Sequence, residues 1–237
     1  MKIERISEHV WSLRTWMIIP FRVWVVKEED GITLVDAGIP GMTKGILRFI
    51  EKLQAGPLRR IVLTHGHSDH VGAINGLLAR YPEAEVFAHE IEFPYMEGRE
   101  PYPGRKKAGQ SVRPGMAKPL KYNGEGEDGD GLSAVGGLAV YHTPGHSPGH
   151  VAYYHEQDRV LLAGDLFTSS KGRLRKPMAM FTADMAEAVR SSEILRTLQP
   201  ARLEICHGGP VLQPAAQLDA YQAAAASAAV SGTAKAR

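Results

Sequence analysis

The sequence predicts a mixed α/β protein of the α+β kind, folded as a four-layer αββα sandwich. A strand-rich stretch followed by alternating helices and strands occurs twice along the chain. At 237 residues, 43% of them hydrophobic, the chain is long enough for one large domain and short for two, so residues 1–237 are read as a single domain. Two half-sandwiches with helices outside then give the four layers.

The elements follow in order. Residues 3–36 read as strands bearing Trp11, Trp16 and Trp24, and the turn-like Glu29-Asp30-Gly31 precedes the strand Ile32-Thr33-Leu34-Val35. Residues 40–55 read as a helix with Ile46, Leu47, Ile50 and Leu53 on one side. The β-branched run Arg60-Ile61-Val62-Leu63, between Pro57 and Gly66, is a buried strand. A helix opens at Asp69, carries Val71, Ile74, Leu77 and Leu78 at helical spacing, and stops at Pro82; a strand over 84–89 follows. In the second half, residues 138–143, 150–156 and 158–165 are strands. Residues 184–199 form a helix with Asp184 and Glu187 at its start, 202–207 a strand, and 214–228 a last helix. The small, polar tail from residue 231 is expected to fray.

Residues 91–131 stand apart from this pattern. They are rich in Pro and Gly, carry Arg99, Arg105, Lys106, Lys107, Arg113, Lys118 and Lys121, and end in the acidic stretch Glu125 to Asp130. A connection this long is expected to be functional, so the segment is read as a lid with some helix, shaping substrate access. A second basic cluster, Lys171 to Lys176, joins it in hinting at an anionic substrate. The apolar stretch Trp16 to Phe21 sits at a hairpin tip and is read first as core packing, with an apolar pocket wall as the sharper reading.

The chemistry concentrates in Thr64-His65-Gly66-His67-Ser68-Asp69-His70, where four metal-capable side chains occupy six positions at the end of a strand. His65 and His67, two apart on extended backbone, point the same way; Asp69 and His70 follow where the helix begins. Two pairs facing two nearby points suit two metal ions roughly 3.5–4 Å apart. Further ligands come from His146, Asp165 and His207, each just after a strand-like run and so on the same edge of the sandwich. The remaining histidines, His9, His89, His142, His150 and His155, lack ligand-like spacing, though His150 is near enough to His146 to support it. Imidazole and carboxylate suit zinc first, with iron or manganese also open. The lone Cys206 adjoins His207, and strand alternation predicts that it packs inward.

These motifs resemble the metallo-β-lactamase superfamily: LVDAG at 34–38, HxHxDH at 65–70, TPGHSPGH at 143–150, GD at 164–165 and CHGG at 206–209. The resemblance implies that His65, His67 and His146 hold one ion, that Asp69, His70 and His207 hold the other, and that Asp165 bridges them. It also tips Asp36 toward orienting a ligand histidine rather than merely capping a turn. The implied reaction is hydrolysis by a metal-bound hydroxide of an ester, thioester or lactone, with Asp69 or Asp165 orienting the hydroxide and passing a proton to the leaving group. Phosphodiester hydrolysis on the same site and a mononuclear iron persulfide dioxygenase are the alternatives.

Within the family, β-lactam cleavage is disfavoured because two-zinc lactamases carry Cys where Asp165 stands. Only about 30 residues follow His207, which disfavours the glutathione thioesters that glyoxalase II grips with a C-terminal region. Lactone hydrolases carry Tyr three residues after the bridging Asp, where this chain has Thr168. The composition fits a cytoplasmic enzyme. One Cys excludes an internal disulfide, no segment reads as a membrane span or signal peptide, and a net charge of +2 gives no drive toward nucleic acid. The expected partner is a small-molecule substrate, with neither membrane nor nucleic acid, and a homodimer stays open.

Overall fold

The computed structural model describes residues 1–121 and 132–234, with side chains as far as residue 227. Four antiparallel strands open the chain: β1 (Lys2–Arg5), β2 (Val10–Trp16), β3 (Pro20–Glu28) and β4 (Gly31–Val35). Helix α1 (Thr43–Leu53) crosses over to β5 (Leu58–Val62), which lies parallel to β4. Helices α2 (Ser68–Val71) and α3 (Ile74–Arg80) lead to β6 (Glu85–Ala88), parallel to β5. After α4 (Phe93–Met96), strand β7 (Ala117–Pro119) completes a seven-stranded sheet in sequence order.

The second sheet takes β8 (Leu132–Val135), β9 (Leu138–His142), β10 (Val151–His155) and β11 (Val160–Leu162), then β14 (Arg202–Glu204) and β15 (Val211–Leu212), in the order β15-β14-β11-β10-β9-β8. Strands β12 (Thr168–Ser170) and β13 (Arg173–Arg175) form a separate hairpin. Helices α5 (Met185–Ser191), α6 (Ile194–Leu198) and α7 (Leu218–Ala234) cover the outer face.

Three apolar layers hold four structural ones. Leu34, Ile61 and Leu63 of the first sheet pack on Ile46, Ile50, Ile74 and Leu77 of α1 and α3. Trp24, Val26, Val35 and Val62 meet Val140, Val151, Tyr153 and Leu162 between the sheets. Leu161, Leu203 and Phe167 meet Leu195, Leu218 and Tyr221 outside the second sheet. Each layer alternates along its strands, so one strand feeds two cores, which is the αββα sandwich that the pattern predicts. Polar groups join the sheets at the same level: the Tyr153 hydroxyl donates to Leu63 O (2.8 Å) and Trp24 Nε1 to Glu204 Oε2 (3.0 Å).

Three expectations need correction. The helix over 69–81 is two helices, because Gly72 packs against the 36–40 turn: its N–H donates to Gly38 O (2.7 Å), and a Cβ there would lie 2.5 Å from Pro40 Cδ. The 184–199 helix also breaks, between Ser191 and Ile194, although Asp184 caps its start by accepting from the Glu187 N–H (2.9 Å). The 91–131 segment is not wholly outside the sandwich. Ala117–Pro119 is a sheet strand and Val112 and Leu120 are buried, because the parallel sheet edge at β6 still offers unpaired backbone groups. The acidic stretch expected at 125–130 lies outside the described residues.

Candidate metal centre

Strand ends deliver the chemistry to one rim. β4 ends at Val35, before Asp36; β5 at Val62, before the His65 to His70 motif; β9 at His142, before the His146 turn; β11 at Leu162, before Asp165; and β14 at Glu204, before His207. The structure brings His65, His67, Asp69, His70, His146, Asp165 and His207 together, although the sequence spreads them over 143 positions.

Two groups of donor atoms result. In the first, His65 Nε2 lies 2.9 Å from His67 Nδ1, which lies 3.1 Å from His146 Nε2. A zinc–nitrogen distance of about 2.1 Å puts two ligands of a tetrahedral site roughly 3.4 Å apart, so three imidazoles converging at these distances fit a single ion. In the second, His207 Nε2 stands 3.1 Å from Asp69 Oδ2 and 3.3 Å from Asp165 Oδ2, and His70 Nε2 is 3.6 Å from Asp165 Oδ1. Asp165 faces both groups, since its Oδ2 also lies 3.4 Å from His146 Nε2. Both His70 Nε2 and Asp165 Oδ1 are buried without a hydrogen-bond partner. A buried polar atom without a partner costs about 1–3 kcal/mol, which a cation between these groups would offset.

Electrostatics separate the groups. Burial pushes the first three imidazoles down, helped by repulsion from neighbouring histidines, His70 among them: His65 far below its ordinary value, His67 to about 3 and His146 to about 4. Burial opposes charge on His70 and His207 as well. There the carboxylates prevail, Asp36 at His70 and Asp165 at His207, and both imidazoles rise. Burial resists ionisation of Asp69, yet His70 and His207 bring it down to about 2.

The rings are aimed from behind. Asp36, at φ 59° in the left-handed region that Asp tolerates, accepts from the Thr64 N–H (2.8 Å), from Thr64 Oγ1 (2.8 Å) and from His70 Nδ1 (2.8 Å). His207 Nδ1 donates to Pro20 O (2.9 Å), and His150 Nε2 accepts from the Asp165 N–H (3.2 Å). The Asp36 and Pro20 O contacts hold the His70 and His207 rings by Nδ1, with Nε2 toward the centre.

Two participants escaped the sequence reading. Cys206 is fully buried, as expected, but its Sγ lies within 4.8 Å of ligand atoms on His70, Asp165 and His207. Strand alternation does not govern it because β14 ends two residues earlier and the chain has already turned. The other is Glu92, wholly buried just beyond β6. Its Oε2 accepts from the Gly66 N–H (2.9 Å) and the Tyr102 hydroxyl (2.6 Å); its Oε1 accepts from the Ser147 hydroxyl (2.6 Å) and the Gly149 N–H (2.8 Å). One carboxylate thus clamps the loop of His65 and His67, the loop of His146 and the 91–121 segment. An acidic residue after a strand carries no spacing signal, so only packing exposes it.

A cavity of about 480 Å³ opens onto Asp69, Asp165, His67 and His207. Its other walls are Ile19 and Phe21 from the hairpin tip, Tyr102, Arg105 and Lys107 from the 91–121 segment, and Met178 and Phe181. The hairpin tip divides between the two readings: Trp16, Met17 and Ile18 are exposed, Ile19 and Phe21 wall the cavity, and Phe21 also packs against the core. The second basic cluster is not at this mouth. Arg173, Arg175 and Lys176 line a groove against α7 instead, because the β12–β13 hairpin carries them away from the rim.

The family model for the metallo-β-lactamase superfamily matches residues 22–207, and the chain belongs to that superfamily. It is 36% identical over 216 residues to the probable metallo-hydrolase YybB of Bacillus subtilis (strain 168), covering 90% of this chain and 93% of the relative. Hydroxyacylglutathione hydrolase of Aeromonas hydrophila is 32% identical over 64% of this chain, which spans about half of that enzyme's length (49%). Among solved structures, the metallo-β-lactamase of Erythrobacter litoralis superposes with a TM-score of 0.71 at 17% identity, over 93% of this chain and 95% of that one. TTHA1623 in a di-iron-bound form superposes with a TM-score of 0.62 at 26% identity, over 84% of this chain and 93% of that one. The fold, the donor groups and these relatives define a metal-dependent hydrolase of this superfamily.

Proposed function

We propose that the chain hydrolyses an acyl ester, thioester or lactone with two divalent ions, His65, His67 and His146 holding one, Asp69, His70 and His207 the other, and Asp165 shared between them. The carrying observation is the pair of donor groups that meet at Asp165, with its Oδ1 and His70 Nε2 buried and unpartnered. A relative in di-iron-bound form supports two ions in such a fold. Zinc, iron and manganese all suit the imidazole and carboxylate donors.

Bound divalent ions would supply water of lowered pKa and would polarise the scissile carbonyl oxygen. The chain's own residues do the rest. Asp36 and Pro20 O hold His70 and His207 in the tautomers that face the centre. Asp69, 27% exposed and on the cavity wall, is ionised at neutral pH and accepts a proton from the attacking water; it returns that proton to the departing alcohol or thiol. Ile19, Phe21, Met178 and Phe181 give the acyl chain an apolar wall and exclude bulk water.

Elemental analysis of the purified protein, together with a screen of ester, thioester, lactone and phosphodiester substrates, tests this reading. Two transition-metal ions per chain with acyl hydrolysis is the expected result. One ion with oxygen uptake on a persulfide, or turnover of phosphodiesters alone, would overturn it.

A further inference from the structure

We infer that Arg105 and Lys107 form an oxyanion-anchoring subsite, so that the substrate is an acyl ester carrying a carboxylate or phosphate beyond its scissile bond; this rests on the acyl-hydrolase reading above.

Both cations line the same cavity as Asp69, Asp165 and His207. Arg105 also borders a smaller cavity of about 170 Å³ that reaches His67 and His146, so it lines both cavities that meet the donor groups. Arg105 and Lys107 are both exposed, but Arg105 is held in place. Its carbon Cζ lies 5.3 Å from the Phe181 ring centre, in cation–π contact, and the Arg105 backbone N–H donates to Tyr102 O (2.9 Å), while the Tyr102 hydroxyl is clamped by buried Glu92. Burial and the Glu92 charge raise the Tyr102 phenol far above its ordinary value, so it remains a donor to Glu92 and the anchor holds.

Neither Arg105 nor Lys107 makes an ion pair with the described residues, whereas seven other arginines of the described chain do. A guanidinium stacked by one face keeps its edge N–H donors free, and those donors match a carboxylate or phosphate bidentately. Apolar Phe21, Met178 and Phe181 line the cavity together with the two cations, so it suits a short apolar chain ending in an anion.

The test compares aryl esters of one carbon skeleton in three forms: a dicarboxylic hemi-ester, its neutral methyl ester, and a phosphate-bearing analogue. In the metal-loaded native protein, kcat/KM for an anionic form should exceed that of the neutral form by about tenfold or more, and the preferred anion tells carboxylate from phosphate. Arg105→Gln should erase most of that ratio through KM, Lys107→Gln a smaller part, and rising salt should weaken it. Arg173→Gln, on the distant hairpin, should change nothing. An anionic-to-neutral ratio left intact by Arg105→Gln overturns the subsite while the hydrolase reading stands. If no ester is turned over, that reading fails, and calorimetric binding of the free dicarboxylate and of its monomethyl ester still decides the subsite. Loss of the dicarboxylate preference in Arg105→Gln supports it, and equal binding in both proteins overturns it.

Discussion

The two donor groups of the rim share a carboxylate and a burial depth, yet their imidazoles move in opposite directions. Burial dominates at His65, His67 and His146, and repulsion from neighbouring histidines, His70 among them, adds to it, so these three stay neutral. His70 and His207 meet Asp36, Asp69 and Asp165, which outweigh the same desolvation and draw protons onto them. The second group thus mixes imidazoles with carboxylates, whereas the first holds imidazoles alone, with Asp165 at its border. The same residue type is kept neutral in one place and drawn toward its charged form in the other, according to which charges stand around it.

The sharpest way to break this comparison is to remove what the groups share. Asp165→Ala should cost both ions affinity and lower kcat by at least about a hundredfold, since losing even a supporting contact to a metal ligand costs about 10–100-fold. Metal analysis and steady-state kinetics check it; retention of two ions at full activity would show that Asp165 is no bridge.

Glu92→Ala should come next, and should strike the first group. Four donors would lose a buried acceptor, at about 1–3 kcal/mol for each left unsatisfied, so thermal unfolding should fall by several degrees and the first ion should be retained about 10–100-fold less tightly. Glu92→Gln should recover part of the stability but not all, because its amide nitrogen cannot accept. An equal loss of both ions would place the effect in global packing.

The opposite shifts predict different pH dependence of metal binding. His70 and His207 have raised pKa values, so in the ion-free protein they hold protons that a second ion must displace; its log affinity should rise by about two per pH unit between about pH 5 and 8. The first-group imidazoles have depressed pKa values and hold no protons over that range, so the first ion's affinity should stay flat until the pH falls toward about 4, where His146 titrates. Calorimetry with zinc across that range measures both slopes, and equal slopes would refute the division.

The smallest effect concerns Cys206. If its thiol completes the floor of the second group, cobalt-loaded protein should show a sulfur-to-cobalt charge-transfer band that Cys206→Ser abolishes, with the second ion weakened by no more than about tenfold. No such band in the native protein would leave Cys206 as a core residue alone.

What the sequence determined by itself was periodic or local. Alternation and helical spacing marked both half-sandwiches, and apolar runs placed each motif at a strand end, so the seven donors could be named before any distance was known. The structure places Asp36 against His70, as the LVDAG resemblance implied. What tertiary structure alone decided was aperiodic. Gly72 splits a helix because Pro40 and Gly38, 32 and 34 residues away in sequence, touch it; β7 extends a sheet from a segment with no strand pattern; Cys206 lies close to the donors because its strand has already ended. Glu92 becomes the clamp of three loops only when donors from positions 66, 102, 147 and 149 arrive around it. A period is written along the chain, but a hydrogen bond between distant loops depends on where folding brings both partners, and no local pattern records that.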